Sequence, residues 1–123
     1  FNDSQPVPII ADGGVECNGD IAKALVAGAN FVMAGGLFAC CVDSAAHSIM
    51  VDGSLHRAYY GSASFENKKT RTHIEGTLKN IPSCGLTFRD KLTEIQEDLQ
   101  SSISYAGGKS LTSLDKSVKW KAV

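Results

Sequence analysis

No run of apolar residues in this chain approaches the roughly 18–20 that a membrane-spanning helix requires, so the sequence excludes a transmembrane segment. It also lacks an excess of either charge: 12 Lys and Arg stand against 13 Asp and Glu, for a net charge of −1. A nucleic-acid binder carries a basic excess, so this balance argues against that class. Phe1 to Pro8 has neither the basic flank nor the apolar core of a signal peptide. The chain does not begin with Met, which predicts a processed chain or a piece of a longer one. Cys17, Cys40, Cys41 and Cys84 contain no CxxC pair and no metal-like spacing, and His47, His56 and His73 have none either. No metal site is therefore expected. Cys40 and Cys41 are adjacent, which strains any disulfide between them. The thiols read as reduced and the compartment as cytoplasmic.

What is present is ordinary globular material. Of 123 residues, 43% are apolar and 20% charged, which excludes wholesale disorder. The length suits one domain or part of one.

Val7-Pro8-Ile9-Ile10-Ala11 is a short, partly β-branched run ending at Asp12-Gly13-Gly14, and it reads as a buried strand. Asn18 follows as the expected N-cap of a helix carrying Ile21, Ala22, Leu25 and Val26, with Asp20 in its first turn and Gly28 just past its end. Asn30 to Ala34 is a second buried strand, again ending in a glycine pair, Gly35-Gly36, and Leu37 to Val42 opens a short helix. The spacing predicts a tight, right-handed βαβ unit with parallel strands, so that both glycine pairs leave the same edge of the sheet.

The character changes after Ala46. Residues 47–60 read as a β-hairpin with Asp52-Gly53 in a type I′ turn. Residues 61–86 are polar and read as a long loop, a flap or lid, holding Lys68, Lys69, Arg71, His73 and Glu75-Gly76. The three lysine and arginine side chains read as a solvated run. Thr87 opens a strong helix over 87–106, with Phe88, Leu92, Ile95, Leu99 and Ile103 on one stripe and Asp90 completing a capping box. Gly107-Gly108 ends it, and 107–123 is a tail with Leu111, Leu114, Val118 and Trp120 to pack.

Two parallel strands with glycine-rich C-terminal turns do not close a fold. The arithmetic points to about the last two βα units (7–46) of a (β/α)₈ TIM barrel, with an inserted hairpin and flap, because the loops after the final strands of such barrels often hold phosphate. Glycine lets backbone N–H groups converge on an anion without a Cβ in the way, and Asp12 at a strand end is placed to accept hydrogen bonds from a ribose diol. Both glycine pairs also serve as plain tight turns, and Glu75 alone reads as a solvated lid carboxylate.

At these residues a resemblance enters. Pro8-Ile9-Ile10-Ala11-Asp12-Gly13-Gly14, Gly19-Asp20-Ile21-Ala22-Lys23-Ala24, Ala27-Gly28-Ala29 and Val32-Met33-Ala34-Gly35-Gly36-Leu37 resemble the IMP dehydrogenase/GMP reductase family. Tyr59-Tyr60-Gly61-Ser62-Ala63-Ser64 and the stretch from Leu99 to Gly108 look more like its GMP reductase branch, especially the bacterial form. The likeness is close over 7–37, 59–64 and 92–115, and loose elsewhere.

The resemblance implies a tetrameric barrel enzyme that converts GMP to IMP and ammonia with NADPH. It implies that Asp12, Gly13 and Gly14 hold ribose and phosphate, that Gly35 and Gly36 hold phosphate, and that Gly61, Ser62 and Ala63 lie by the purine. Glu75 would be the flap acid that works in proton transfer, and Ser62, Ser101, Ser102 and Ser104 would border the cofactor, the helix serines that of a neighbouring subunit. A carboxylic acid on a closing loop is a sensible proton donor to a leaving amine.

The chain departs from the family in two places. None of the four cysteines matches the glycine- and serine-rich context of the family's nucleophilic cysteine, which lies upstream in relatives. Cys40 to Ala46 replaces a stretch where relatives carry glycine and a Glu-Ser pair, and Thr77 stands where they place lysine; both changes bear on nucleotide or cofactor affinity. The rival readings are an IMP dehydrogenase, which oxidises IMP to XMP with NAD and whose flap carries an Arg-Tyr pair not found between 65 and 86, and a non-catalytic nucleotide-binding fragment.

Overall fold

The computed structural model describes residues 7–61 and 78–114. The architecture is mixed α/β. Two compact units share the chain, one built from residues 7–34 and 93–114 and the other from 35–61 and 78–92.

The first unit holds β1 (Ile10–Asp12), α1 (Asn18–Val26) and β2 (Phe31–Met33). β1 and β2 pair in parallel with Ile10 opposite Phe31, Ala11 opposite Val32 and Asp12 opposite Met33, so the expected βαβ unit is present. Asn30 fixes the entry to β2, its side-chain oxygen accepting from the Ile9 N–H at 2.9 Å while its own N–H reaches the Ile9 carbonyl. The strands are not buried as the sequence predicts. Ile10, Phe31 and Met33 are each more than half exposed. A parallel ladder normally has both faces covered; here Ala11 and Val32 are half-buried on the face that α1 contacts, and among the described residues nothing covers the Ile10–Phe31 face.

α1 starts one residue earlier than its sequence suggests. Its N-cap is Cys17, not Asn18, because the Asp20 carboxylate accepts from the backbone N–H of both Glu16 and Cys17 at 3.1 Å and so satisfies the helix start from inside. Asn18 is instead buried in the first turn. The helix closes as expected at Gly28, whose φ of +105° lets Gly28 N–H reach Leu25 and Ala29 N–H reach Ala24.

The second unit holds α2 (Gly36–Ala39) and an antiparallel sheet of β3 (His47–Val51), β4 (Ser54–Tyr59) and β5 (Lys79–Pro82), in the order β3-β4-β5. Asp52 and Gly53 turn the hairpin with φ of +49° and +78°, both left-handed as a type I′ turn demands. β5 lies where the sequence predicts loop. Its Lys-Asn-Ile-Pro carries almost no strand signal, and it forms by pairing Ile81 against Arg57 and Asn80 against Ala58 on a sheet edge already built.

α3 (Phe88–Tyr105) begins in the second unit and continues in the first. The capping box is there: the Asp90 N–H donates to the Thr87 hydroxyl at 3.2 Å, and the Asp90 carboxylate accepts from that hydroxyl at 2.7 Å. Asp43 adds a second cap by accepting from the Phe88 N–H at 2.8 Å. On the stripe, Ile95 is buried, Leu99 and Ile103 half-buried, and Phe88 and Leu92 more exposed. The helix ends at Gly107, φ +75°, with Gly108 N–H on the Ile103 carbonyl. A 3₁₀ turn over Leu111–Ser113 then buries Leu114, whereas Val118 and Trp120 lie outside the described residues. Among the described residues no helix is long and apolar enough to cross a membrane.

Candidate functional site

The C-terminal edge of β1 delivers the first group of expected site residues. Asp12 is exposed at the strand end. Gly13 and Gly14 follow with φ of +93° and +72°, and a Cβ built on either would meet nothing within 4 Å among the described residues. Their glycine identity is therefore set by backbone conformation rather than crowding. The result is an open turn with bare backbone, beside a carboxylate that accepts hydrogen bonds but cannot donate them when ionised.

β2 ends at the same edge of the parallel ladder, and the second glycine pair comes two residues beyond it. Here the constraint is different. Gly35 has an ordinary φ of −105°, but a Cβ there would collide with the hydroxyl of Tyr59. A Cβ on Gly36 would sit 3.4 Å from the Ile81 side chain. The pair is thus walled on one side by the antiparallel sheet, and Tyr59 and Tyr60, both half-buried, lead directly to Gly61. Gly35, Gly36 and Gly61 belong to the second unit, and Asp12, Gly13 and Gly14 to the first. Ser62, Ala63 and Glu75 lie outside the described residues, as do Lys68, Lys69, Arg71 and His73.

Ser101 and Ser104 line an open hollow of about 590 Å³ on the last turns of α3, together with Glu97, Gln100 and Tyr105. Ser102 is turned away and donates to its own helix at the Asp98 carbonyl, 2.9 Å. The sequence alone did not single out Glu97, Gln100 or Tyr105; their spacing of three and four residues from the serines was the available signal. The helix is held to α1 by Asn18, whose amide donates to Glu94 at 2.9 Å and Asp98 at 2.7 Å.

Arg57 was likewise not evident from sequence. It is buried on β4, and its guanidinium donates to the Ala46 carbonyl at 3.1 Å, the Ser48 hydroxyl at 2.8 Å and the Val42 carbonyl. It ties the chain between α2 and β3 onto the sheet.

Cys40 and Cys41 are placed as poor nucleophiles. Burial raises the Cys40 thiol above its ordinary value, with Cys84 adding to the shift, and pushes Cys41 up to about 12. Burial opposes the Cys84 thiolate, but hydrogen bonding at Leu86 and from the two neighbouring thiols outweighs it and lowers that group. Cys17 is exposed.

A parallel βαβ pair beside an antiparallel sheet in the chain's second unit makes this an α/β protein. Comparison with known proteins narrows this. The IMP dehydrogenase / GMP reductase domain matches residues 1–123 in full, and the chain belongs to that family. Among curated relatives, the GMP reductase of Staphylococcus carnosus (strain TM300) is 50% identical over 109 residues, which is 89% of this chain and 33% of the relative. That of Streptococcus pyogenes serotype M49 (strain NZ131) is 51% identical over 107 residues, 87% of this chain and 32% of the relative. That of Latilactobacillus sakei subsp. sakei (strain 23K) is 50% identical over 109 residues, with 89% and 33% covered. The chain therefore spans about a third of the length of the curated relatives it matches.

Proposed function

We propose that this chain is the C-terminal part of a TIM-barrel GMP reductase, one that reduces GMP to IMP and ammonia with NADPH as a cytoplasmic homotetramer. The bare apolar face of the β1–β2 ladder carries the barrel reading. Ile10 and Phe31 stand opposite each other and exposed, as inward-facing residues of neighbouring barrel strands would before the remaining strands close over them. Half-identity to proteins named GMP reductase supports the choice of branch.

In this reading Asp12 accepts the ribose hydroxyls, and the backbone of Gly13, Gly14, Gly35 and Gly36 receives the phosphate. Gly61, Ser62 and Ala63 lie along the purine. The hollow on α3 suits part of a dinucleotide: Ser101, Ser104 and Gln100 offer hydrogen bonds, and Tyr105 offers a ring face. Glu97 disfavours phosphate there, so the sugar or ring portion fits that end better. When bound, NADPH supplies the hydride that replaces the purine amine. Glu75 carries a proton to the departing amine.

The deciding experiment is a pair of assays on the complete enzyme, GMP with NADPH against IMP with NAD. GMP-dependent NADPH consumption with IMP as product is expected; turnover only in the second pair would reverse the assignment. Glu75→Gln should lower kcat far more than it weakens GMP binding.

A further inference from the structure

Cys40, Cys41 and Cys84 have no part in the nucleotide reading, yet the fold gathers them. Their Sγ atoms all lie within 4.8 Å of one another. Cys40 caps the end of α2, and Cys41 follows it. The segment after β5 is strapped alongside by three bonds: Cys84 N–H to the Cys40 carbonyl at 3.0 Å, Val42 N–H to the Leu86 carbonyl at 2.9 Å, and the Ser83 hydroxyl to the Cys40 carbonyl at 3.3 Å. The backbone on both sides of the cluster is thus held together by hydrogen bonds. Cys41 is wholly buried and Cys40 nearly so, while Cys84 is half-exposed and gives a path from solvent.

We propose that Cys40, Cys41 and Cys84 form a three-thiolate binding site for a soft, closed-shell metal cation of the Zn(II) or Cu(I) class. Zinc bound to sulfur at ~2.3 Å in a tetrahedron sets the sulfurs about 3.8 Å apart. The observed separations, all within 4.8 Å, exceed that spacing by about 1 Å at most. Three sulfurs with no carboxylate or imidazole joining the cluster, among the described residues, select thiophilic ions over Mg²⁺ or Ca²⁺. Copper(I) is satisfied by three such ligands; zinc takes a water as its fourth on the open Cys84 side. Each thiol passes its proton to solvent as its sulfur–metal bond forms, and no electrons are exchanged. Cys40 gives up its present hydrogen bond to the Leu37 carbonyl in doing so. A zinc tris-thiolate carries a net charge of −1. The buried Lys91 acts electrostatically on Cys40 and Cys84 and offsets it. Asp43, whose charge acts on Cys41, is engaged with the Phe88 N–H instead. A disulfide is the competing fate. The vicinal pair is strained for it, which leaves Cys84 with one neighbour as the only reasonable bridge.

The test uses the complete protein, reduced with a phosphine, freed of metal by a chelator, and titrated with Zn(II) and, anaerobically, with Cu(I), each against a chromophoric competitor. One equivalent of either ion should be retained. Bound metal should shield Cys84 from iodoacetamide, read by peptide mass, and the exposed Cys17 should remain reactive. Cys84→Ser and Cys41→Ser should each weaken binding by at least ~100-fold, since losing only a ligand's supporting contacts costs ~10–100-fold; Cys17→Ser should change nothing. Failure to retain either ion, retention unaltered in Cys84→Ser, or a Cys84 disulfide that forms in air and persists in place of metal would each overturn the proposal. GMP turnover does not enter these readouts, so the nucleotide reading stands or falls separately.

Discussion

The hydroxyl of Tyr59 occupies the space that any side chain at Gly35 would need. Glycine at position 35 is therefore a packing requirement, whatever it binds. Gly35→Ala should destabilise the protein by about 1–3 kcal/mol through overpacking and weaken GMP binding in the complete enzyme. Combining it with Tyr59→Phe should recover only part of the loss, because the ring carbon bearing the hydroxyl would still lie 2.9 Å from the new methyl group. Thermal unfolding of the two single variants and the double variant gives the coupling energy directly.

Gly13 and Gly14 should behave differently from Gly35. Among the described residues nothing crowds them, and only their left-handed φ of +93° and +72° excludes a side chain. Ala at either position should cost about 1–2 kcal/mol of backbone strain, with Gly14→Asn milder than Gly14→Ala because Asn tolerates this region better. In the complete enzyme, KM for GMP should rise in these variants while Tyr59→Phe has no effect on the strain, as measured by steady-state kinetics beside unfolding curves.

The βαβ unit was legible because its signals are local: two short apolar runs, each closed by glycine, with a helix between them whose exit at Gly28 obeys backbone sterics. The I′ turn at Asp52-Gly53 and the Thr87–Asp90 cap were legible for the same reason. β5 was not, since Lys79 to Pro82 becomes a strand only by pairing with β4. Cys17 displaced Asn18 as the cap because Asp20 reaches backward, an effect of side-chain direction that composition does not show. Exposure of Ile10 and Phe31 was hidden as well: a sequence tells that a residue is apolar, but what covers it depends on distant chain. In the candidate site, Asp12 and the glycines stood out by type and spacing, whereas the Cys40–Cys41–Cys84 cluster needed the tertiary strap between residues 40 and 84 to exist at all.

Asp20 makes the start of α1 sensitive to acid. Its carboxyl is held well below the usual range, first by the Glu16 backbone N–H, then by the Lys23 ammonium at 3.1 Å and the Cys17 backbone N–H. The native group binds its proton more weakly than the unfolded one, so ionised Asp20 contributes stability above the unfolded value of 3.8. That contribution is lost as the pH falls below that value through the native pKa. Asp20→Asn should lower stability at neutral pH and flatten the acid limb of the unfolding profile. Unfolding midpoints measured from pH 2 to 6 for both proteins check the sign.

Arg57 is the strongest test of how the second unit holds together. Its guanidinium is buried and satisfies two backbone carbonyls, Val42 and Ala46, and the Ser48 hydroxyl. Arg57→Met keeps most of the stem's volume but leaves these part-buried acceptors without their donor, so a loss of about 1–3 kcal/mol is expected. Arg57→Lys keeps the charge but not the planar fork, and one ammonium does not reach acceptors spread around two guanidinium nitrogens; it should recover less than half of the loss. Urea unfolding midpoints measure the energies. Hydrogen exchange locates them: faster exchange at the Val42 and Ser44 amides, with the Gly28 and Ala29 amides at the end of α1 unchanged, is the pattern a local anchor predicts. Uniform acceleration across the chain would instead make Arg57 a determinant of global stability.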